Sequence, residues 1–190
     1  MKDNDLLSNL EKIDFTKLAF EPFSKNTKKV EDFNCGNDDL NEFLNTEEAR
    51  KYEREKLGKT TTVYYYGKLV AYFTVSNYLL KKVKLKNAKN FSKLSEYQIE
   101  GYPSILIGRL AVQKEWQKHG IGRFLVSKII KNALKSSEHF GIRLVVVQAK
   151  KDAFKVYEKL GFQYVEHSSE EKRFRARGTK TMFFDLKSLK

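Results

Sequence analysis

Residues 104–127 read S-I-L-I-G-R-L-A-V-Q-K-E-W-Q-K-H-G-I-G-R-F-L-V-S, and no other stretch restricts the fold as tightly. Residues 105–112 form an apolar run rich in aliphatic and β-branched side chains, which reads as a buried strand. A polar turn follows, and Gly120-Ile121-Gly122 then opens a segment in which Phe124, Leu125, Ile129, Ala133 and Leu134 recur at helical spacing. A strand that feeds a glycine-bearing turn into a helix N-terminus is suited to phosphate. Glycine lets the backbone approach closely, and the unpaired N–H groups of the first turn present the positive end of the helix dipole.

The dinucleotide pattern G-x-G-x-x-G fails, because Leu125 stands where a third glycine belongs, and the pattern G-x-x-x-x-G-K-[ST] is absent. Gln117-Lys118-His119-Gly120-Ile121-Gly122 instead fits [QR]-x-x-G-x-[GA]. Set between L-A-V and a basic amphipathic helix, it resembles the pyrophosphate loop of the GNAT N-acetyltransferases. The resemblance implies acetyl-CoA as cofactor, bound by Gln117, Lys118, His119, Gly120, Ile121, Gly122 and Arg123, with the pantetheine arm along Leu110, Ala111 and Val112.

A second landmark is A-F-K-V-Y-E-K-L-G-F, residues 153–162, which resembles the late GNAT segment where a tyrosine precedes G-F by four residues. On that resemblance Tyr157 is the catalytic residue that protonates the departing thiolate, a task open to a phenol because it donates a proton while neutral. From the residues alone, Tyr157 also fits an apolar stripe with Ala153, Val156 and Leu160. No general base is visible: His119 lies in the loop motif, and His139 and His167 have no partner at an interpretable spacing.

The formal charge of +13 favours polyanionic partners, nucleic acid or cofactor phosphates, although a lysine-rich solvated surface gives the same number. With 190 residues and 41% hydrophobic content the chain suits one globular domain, 1–190, whose first 14 residues are a frayed start or a short amphipathic helix. One cysteine, Cys35, excludes an intrachain disulfide and any multi-cysteine metal site, so no metal is expected. No apolar run reaches membrane-span length and the N-terminus lacks a signal-peptide pattern, so the expected location is cytoplasmic, with no membrane partner.

Taken in order, residues 15–23 read as a first strand. Asn37 or Asp38 caps a helix bearing Leu40, Phe43 and Leu44, and a second helix over 47–57 ends at Gly58. Strands over 60–66 and 69–76 are joined by Gly67-Lys68 as a type II′ hairpin. Residues 81–93 carry six lysines and no acid, without clear period. A helix over 121–139, a strand over 143–149, a helix capped by Asp152 and two strands, 162–165 and 181–186, complete the chain, with 166–180 as a charged connection. This order gives an α/β class, a mixed central sheet with helices on both faces, which is also the GNAT acyl-CoA N-acyltransferase fold.

Two stretches point to one branch of that family. F-N-C-G-N-D-D-L-N-E-F-L, residues 33–44, and P-S-I-L-I-G-R-L-A-V, residues 103–112, are similar to segments of GNAT toxins from bacterial toxin–antitoxin pairs. That resemblance implies transfer of acetyl to the α-amine of aminoacyl-tRNA, a block on translation, and a cognate antitoxin as partner, and it leaves room for a homodimer. Lys81, Lys82, Lys84, Lys86, Arg173, Arg175 and Arg177 are then candidate tRNA-backbone contacts. The alternatives are an acetyltransferase of a small amine or a protein amine, and a non-catalytic module that binds coenzyme A or nucleic acid.

Overall fold

The structure is a computed structural model that describes residues 13–25, 30, 32–85, 91 and 98–189. Among them are seven strands: β1 (Leu18–Pro22), β2 (Lys59–Tyr65), β3 (Lys68–Lys81), β4 (Gly101–Val112), β5 (Leu144–Lys150), β6 (Gln163–Tyr164) and β7 (Thr179–Asp185). Five α-helices accompany them: α1 (Asp38–Asn45), α2 (Glu48–Arg54), α3 (Ile121–Ser136), α4 (Phe154–Lys159) and α5 (Ser168–Arg177). The strands form one sheet in the order β1-β2-β3-β4-β5-β7-β6. It is mixed: β4 and β5 are parallel, while β1–β2, β5–β7 and β6–β7 are antiparallel. Both sheet ends are short strands, and β1 carries Pro22, which an edge tolerates because its missing N–H breaks no ladder. No helix among the described residues is long and apolar enough to cross a membrane. The expected helical start over 1–14 lies, apart from Ile13 and Asp14, outside the described residues.

The chain divides into two compact units; one holds the residues up to Thr74 together with Arg109–Val126. Its core gathers Phe23, Phe33, Phe43, Leu44, Tyr72 and Ala111. Asn37 caps α1, its side chain accepting the Leu40 N–H at 3.3 Å, and Tyr72 pins the helix by donating its hydroxyl to the Leu40 carbonyl at 2.6 Å. Helix α2 stops at Arg54 rather than running to Gly58: the left-handed residue is Lys56, at φ 54°, and Leu57 N–H closes the end on Tyr52 O at 3.1 Å. The β2–β3 turn also differs from expectation. Its central residues are Tyr66 and Gly67, at φ 45° and 79°, so both are left-handed and the turn is type I′ rather than II′. At the start of the described chain Phe15–Lys17 is a 3₁₀ turn, not strand, because Asp14 Oδ1 captures the N–H and hydroxyl of Thr16.

The other unit comprises Val75–Gly108 and Ser127–Lys190. Its core includes Leu80, Phe91, Tyr102, Leu144, Val146 and Phe183. Strand β3 continues into it, five residues beyond the expected end at 76, and a 3₁₀ turn over Lys82–Leu85 follows. The β4–β5 register runs from Ser104↔Leu144 to Ile107↔Val147, whereas β5 keeps its β7 partners from Leu144↔Asp185 to Lys150↔Thr179. Arg143 makes a two-pronged bond to Asp185, at 2.7 and 2.8 Å, and joins the entry of β5 to the exit of β7. Asp152 is no helix cap: it lies in a 3₁₀ turn, and α4 begins at Phe154 with no side-chain cap bond.

The charged stretch 166–180 contains a full helix, α5, rather than a connection. His167, expected to lack a partner, caps it by accepting the Ser169 N–H at 3.1 Å, and Gly178 ends it at φ 64°. Its apolar content is too low for a periodic stripe. Its end signals were nevertheless present: serines at the start, Glu170 and Glu171 in the first turn, Arg175 and Arg177 in the last, and a closing glycine.

Candidate active site

Within the first unit, β4 ends at Val112, a 3₁₀ turn carries Lys114–Trp116, and α3 starts at Ile121. The first intrahelical bond runs from Phe124 N–H to Gly120 O at 3.0 Å. Among the described residues, no acceptor meets the backbone N–H groups of Lys118, His119, Gly120, Ile121, Gly122 or Arg123. Six consecutive donors at a helix N-terminus, with the exposed Lys118 and Arg123 beside them, suit a doubly charged pyrophosphate.

The two glycines have different reasons for being there. Gly120 sits at φ 84°, where a side chain is strained, and a Cβ would also press on Phe15 Cζ at 3.4 Å. Gly122 has no such φ, and a Cβ there would meet Leu110 and Val112 at an ordinary 3.8 Å. The fold alone therefore accommodates a small side chain at 122. The fit to a bound phosphate rests instead on the 118–123 N–H groups, which meet no acceptor among the described residues.

The loop is fastened at both ends. Gln117, expected to touch cofactor, is exposed, and its side-chain amide donates to Val112 O at 3.0 Å and Cys35 O at 2.8 Å. Trp116 is buried edge-on against Tyr65 at 5.4 Å, and on the helix side Phe124 stacks on Phe15 at 4.6 Å. Leu110 and Val112 are half-buried and Ala111 is buried in the core of its unit.

Tyr157 belongs to the second unit, on α4. Its ring is buried, edge-on to Phe162 at 5.2 Å, and burial pushes the phenol pKa up to about 12. Its hydroxyl has no protein partner among the described residues, yet it is not one of the sealed unpaired atoms, so it keeps contact with solvent. The expected apolar stripe is incomplete, because Val156 points outward. The ring is thus packed as a core aromatic is, and the hydroxyl is left able to donate a hydrogen bond.

The candidate nucleic-acid contacts separate into groups. Lys84 and Arg173 converge on the buried Glu170: Lys84 Nζ lies 3.0 Å from Oε1, Arg173 Nε 3.8 Å from Oε2, and the Thr181 N–H donates to Oε2 at 2.8 Å. Burial acts to raise the Glu170 pKa, but the hydrogen bonds from Thr181 and Lys84, with the Lys84 charge, hold it below the ordinary value. Lys84 is thus largely a structural partner. Lys81 is exposed at the end of β3, and Lys82, half-buried, anchors the following turn through its N–H to Glu100 O at 2.9 Å. Arg175 and Arg177 stand exposed on the last turn of α5. Lys86 lies outside the described residues.

Two contributors escaped the sequence reading. Phe15 looked like strand but supports the glycine loop, and the 33–37 turn bonds directly to the loop entrance, Asn34 N–H donating to Gln113 Oε1 at 2.8 Å. Both contacts join residues some eighty or more positions apart, beyond the reach of any local pattern.

Residues 86–178 match the model of the acetyltransferase (GNAT) domain. No curated protein sequence matches the chain. Solved structures do. AtaT complexed with acetyl-methionyl-tRNAfMet is similar with a TM-score of 0.76 and 23% identity, over 90% of this chain and 96% of that one. AtaTR bound with AcCoA is similar with a TM-score of 0.72 and 25% identity, over 91% and 96% of the two chains. A tyrosine-to-phenylalanine mutant of the AtaT toxin bound to the C-terminus of the antitoxin AtaR gives a TM-score of 0.69 and 24% identity, over 90% and 93%. The matched stretch and the mixed sheet agree: over residues 86–178 the chain carries an acetyltransferase (GNAT) domain, and it is an acyltransferase on that ground.

Proposed function

We propose that residues 1–190 form a single acetyl-CoA-dependent N-acetyltransferase domain that acetylates the α-amine of aminoacyl-tRNA, a translation-blocking toxin activity in the cytoplasm held in check by a cognate antitoxin. The observation that carries the cofactor part is the run of six N–H groups over the loop that are unpaired among the described residues. Acetyl-CoA supplies the activated acetyl group. The chain's own part is to hold the pyrophosphate on the 118–123 amides and to offer the backbone of Leu110, Ala111 and Val112, beyond the last β4–β5 partners, to the pantetheine amides.

Tyr157 then serves the leaving group. The acceptor nitrogen attacks the thioester carbonyl, the C–S bond breaks, the sulfur leaves with the electron pair, and the amine gives its proton to solvent. With burial raising its pKa to about 12, the Tyr157 phenol is a weaker acid than an ordinary thiol near about 8.5, so full proton transfer to the sulfur is uphill. Its contribution is a hydrogen bond to the developing thiolate, with protonation completed by solvent. The ester of an aminoacyl-tRNA lowers its α-amine pKa by electron withdrawal, which reduces the need for a protein base.

The tRNA part rests on the toxin-like 33–44 and 103–112 segments, the charge of +13 and the neighbour solved with acetyl-methionyl-tRNA. Purified protein given labelled acetyl-CoA and, in parallel, charged tRNA, a polyamine and a peptide tests it. The expected result is label on charged tRNA, lost on deacylation of the tRNA. Label on the polyamine or peptide alone assigns the chain to small-amine or protein acetylation.

A further inference from the structure

Few bonds of its own tie the loop that opens α3 between the 3₁₀ turn at Lys114–Trp116 and the helix start at Ile121. Its N–H groups at 118–123 find no acceptor among the described residues, Lys118 sits at φ 65° and Gly120 at φ 84°. Residues 118–120, which precede the helix, donate no hydrogen bond to a described residue, and a ligand that must order so weakly tied a stretch binds more weakly. The loop therefore needs support from outside. That support comes from the 33–37 turn. Asn34 N–H donates to Gln113 Oε1 at 2.8 Å, and Lys114 N–H donates back to Asn34 O at 2.9 Å. Gln117 Nε2 reaches Cys35 O at 2.8 Å while also holding Val112 O at 3.0 Å. The turn is itself braced: Asn34 Oδ1 accepts the Gly36 N–H at 2.8 Å and Asn41 Nδ2 at 3.2 Å, and Asn41 Oδ1 accepts the Cys35 N–H at 2.8 Å. Asn41 is part of α1, which Tyr72 anchors to β3.

The geometry points to the 33–37 turn as a latch that sets the pyrophosphate loop in its binding conformation before the cofactor arrives, with Gln113, Gln117 and Asn41 as positioning residues. The latch rests on the reading of 118–123 as the pyrophosphate site. It also gives a chemical reason for glutamine or arginine at the head of the loop pattern. The side chain must donate to two carbonyls at once, which an amide NH2 or a guanidinium does and a carboxylate does not.

Calorimetric titration of the full chain with acetyl-CoA, with steady-state kinetics beside it, tests the latch. Gln113→Ala and Asn41→Ala, both outside the loop, each weaken acetyl-CoA about 2–10-fold, the weight of one hydrogen bond, raising its KM while kcat at saturation changes less than twofold. Gln113→Glu, which keeps the acceptor for Asn34 N–H, restores affinity. Gln117→Arg retains affinity and Gln117→Glu loses it. Lowered melting temperatures with unchanged affinity in Gln113→Ala and Asn41→Ala would overturn the latch, as would failure of Gln113→Glu to recover the affinity missing in Gln113→Ala. Absence of acetyl-CoA binding by the unaltered protein sinks the loop reading itself, a separate outcome.

Discussion

Tyr157 differs from Tyr72 and Tyr164, whose hydroxyls are committed to Leu40 O at 2.6 Å and Glu158 Oε1 at 2.7 Å. Removing its hydroxyl takes away a donor and leaves the buried ring in place. Tyr157→Phe is expected to bind acetyl-CoA as before and lose about 10²-fold in kcat, the weight of one hydrogen-bond donor to a developing charge, measured by calorimetry and initial rates. Since its pKa is raised to about 12, the hydroxyl keeps its proton throughout the accessible range. The kcat profile should then show no falling limb up to about pH 10.5, and a descending pKa near 10 would mean an unburied phenol. A second residue carries strain with no evident use. Lys56 adopts φ 54° at the end of α2, where glycine is the natural occupant, so Lys56→Gly should raise stability by about 0.5–1 kcal/mol in urea denaturation.

At the scale of elements, each unit is sewn by a charged clasp. In the first, Arg109 of β4 lies 3.5 Å over the Phe43 ring of α1 and pairs with Glu48 of α2 at 3.1 Å, so the arginine of G-R-L-A-V ties a strand to two helices. In the second, Glu170 joins α5 to β7 through the Thr181 N–H and to the turn after β3 through Lys84. Glu170→Gln is expected to cost about 3 kcal/mol at neutral pH, since it leaves Lys84 partly buried without its anion. The Glu170 pKa is depressed in the folded protein, so its stabilisation is present above the unfolded carboxylate value and is lost as pH falls through the folded one. Melting temperatures taken from pH 6 down to about pH 3 should therefore fall less steeply in the variant than in the unaltered protein. Parallel curves would mean that the carboxylate is not the group being titrated.

At the scale of the whole molecule the charge of +13 sets long-range behaviour, but not every cation contributes to it equally. Arg175 and Arg177 are exposed on α5, whereas Lys84 and Arg173 face Glu170. If the exposed pair tracks an RNA backbone, Arg175→Gln with Arg177→Gln should raise the KM for charged tRNA and spare acetyl-CoA affinity. The log–log salt slope should also shrink by about 0.7–0.9 for each phosphate that is no longer neutralised. Lys84→Gln should instead lower the melting temperature with little change in that slope. An unchanged slope in the double variant would make the α5 charge a solvated face.

The sequence by itself determined what depends on neighbours along the chain. The strand–glycine–helix segment and the cap at Asn37 are local matters of period and backbone freedom, and both stand where the residues indicated. Where a local signal was weak, the reading slipped by a few residues or missed an element: α5 has no apolar stripe, and the bend after α2 falls on a lysine rather than the nearby glycine. Only the tertiary structure decided which groups were already engaged. Nothing in the spacing could tell that Lys84 is paired with Glu170, that the Gln117 amide is bonded to Cys35 O, or that Asn34 holds the loop entrance from some eighty residues away. A hydrogen bond between distant residues depends on where the whole chain places its backbone, and the donors left over after those bonds form are what make the site.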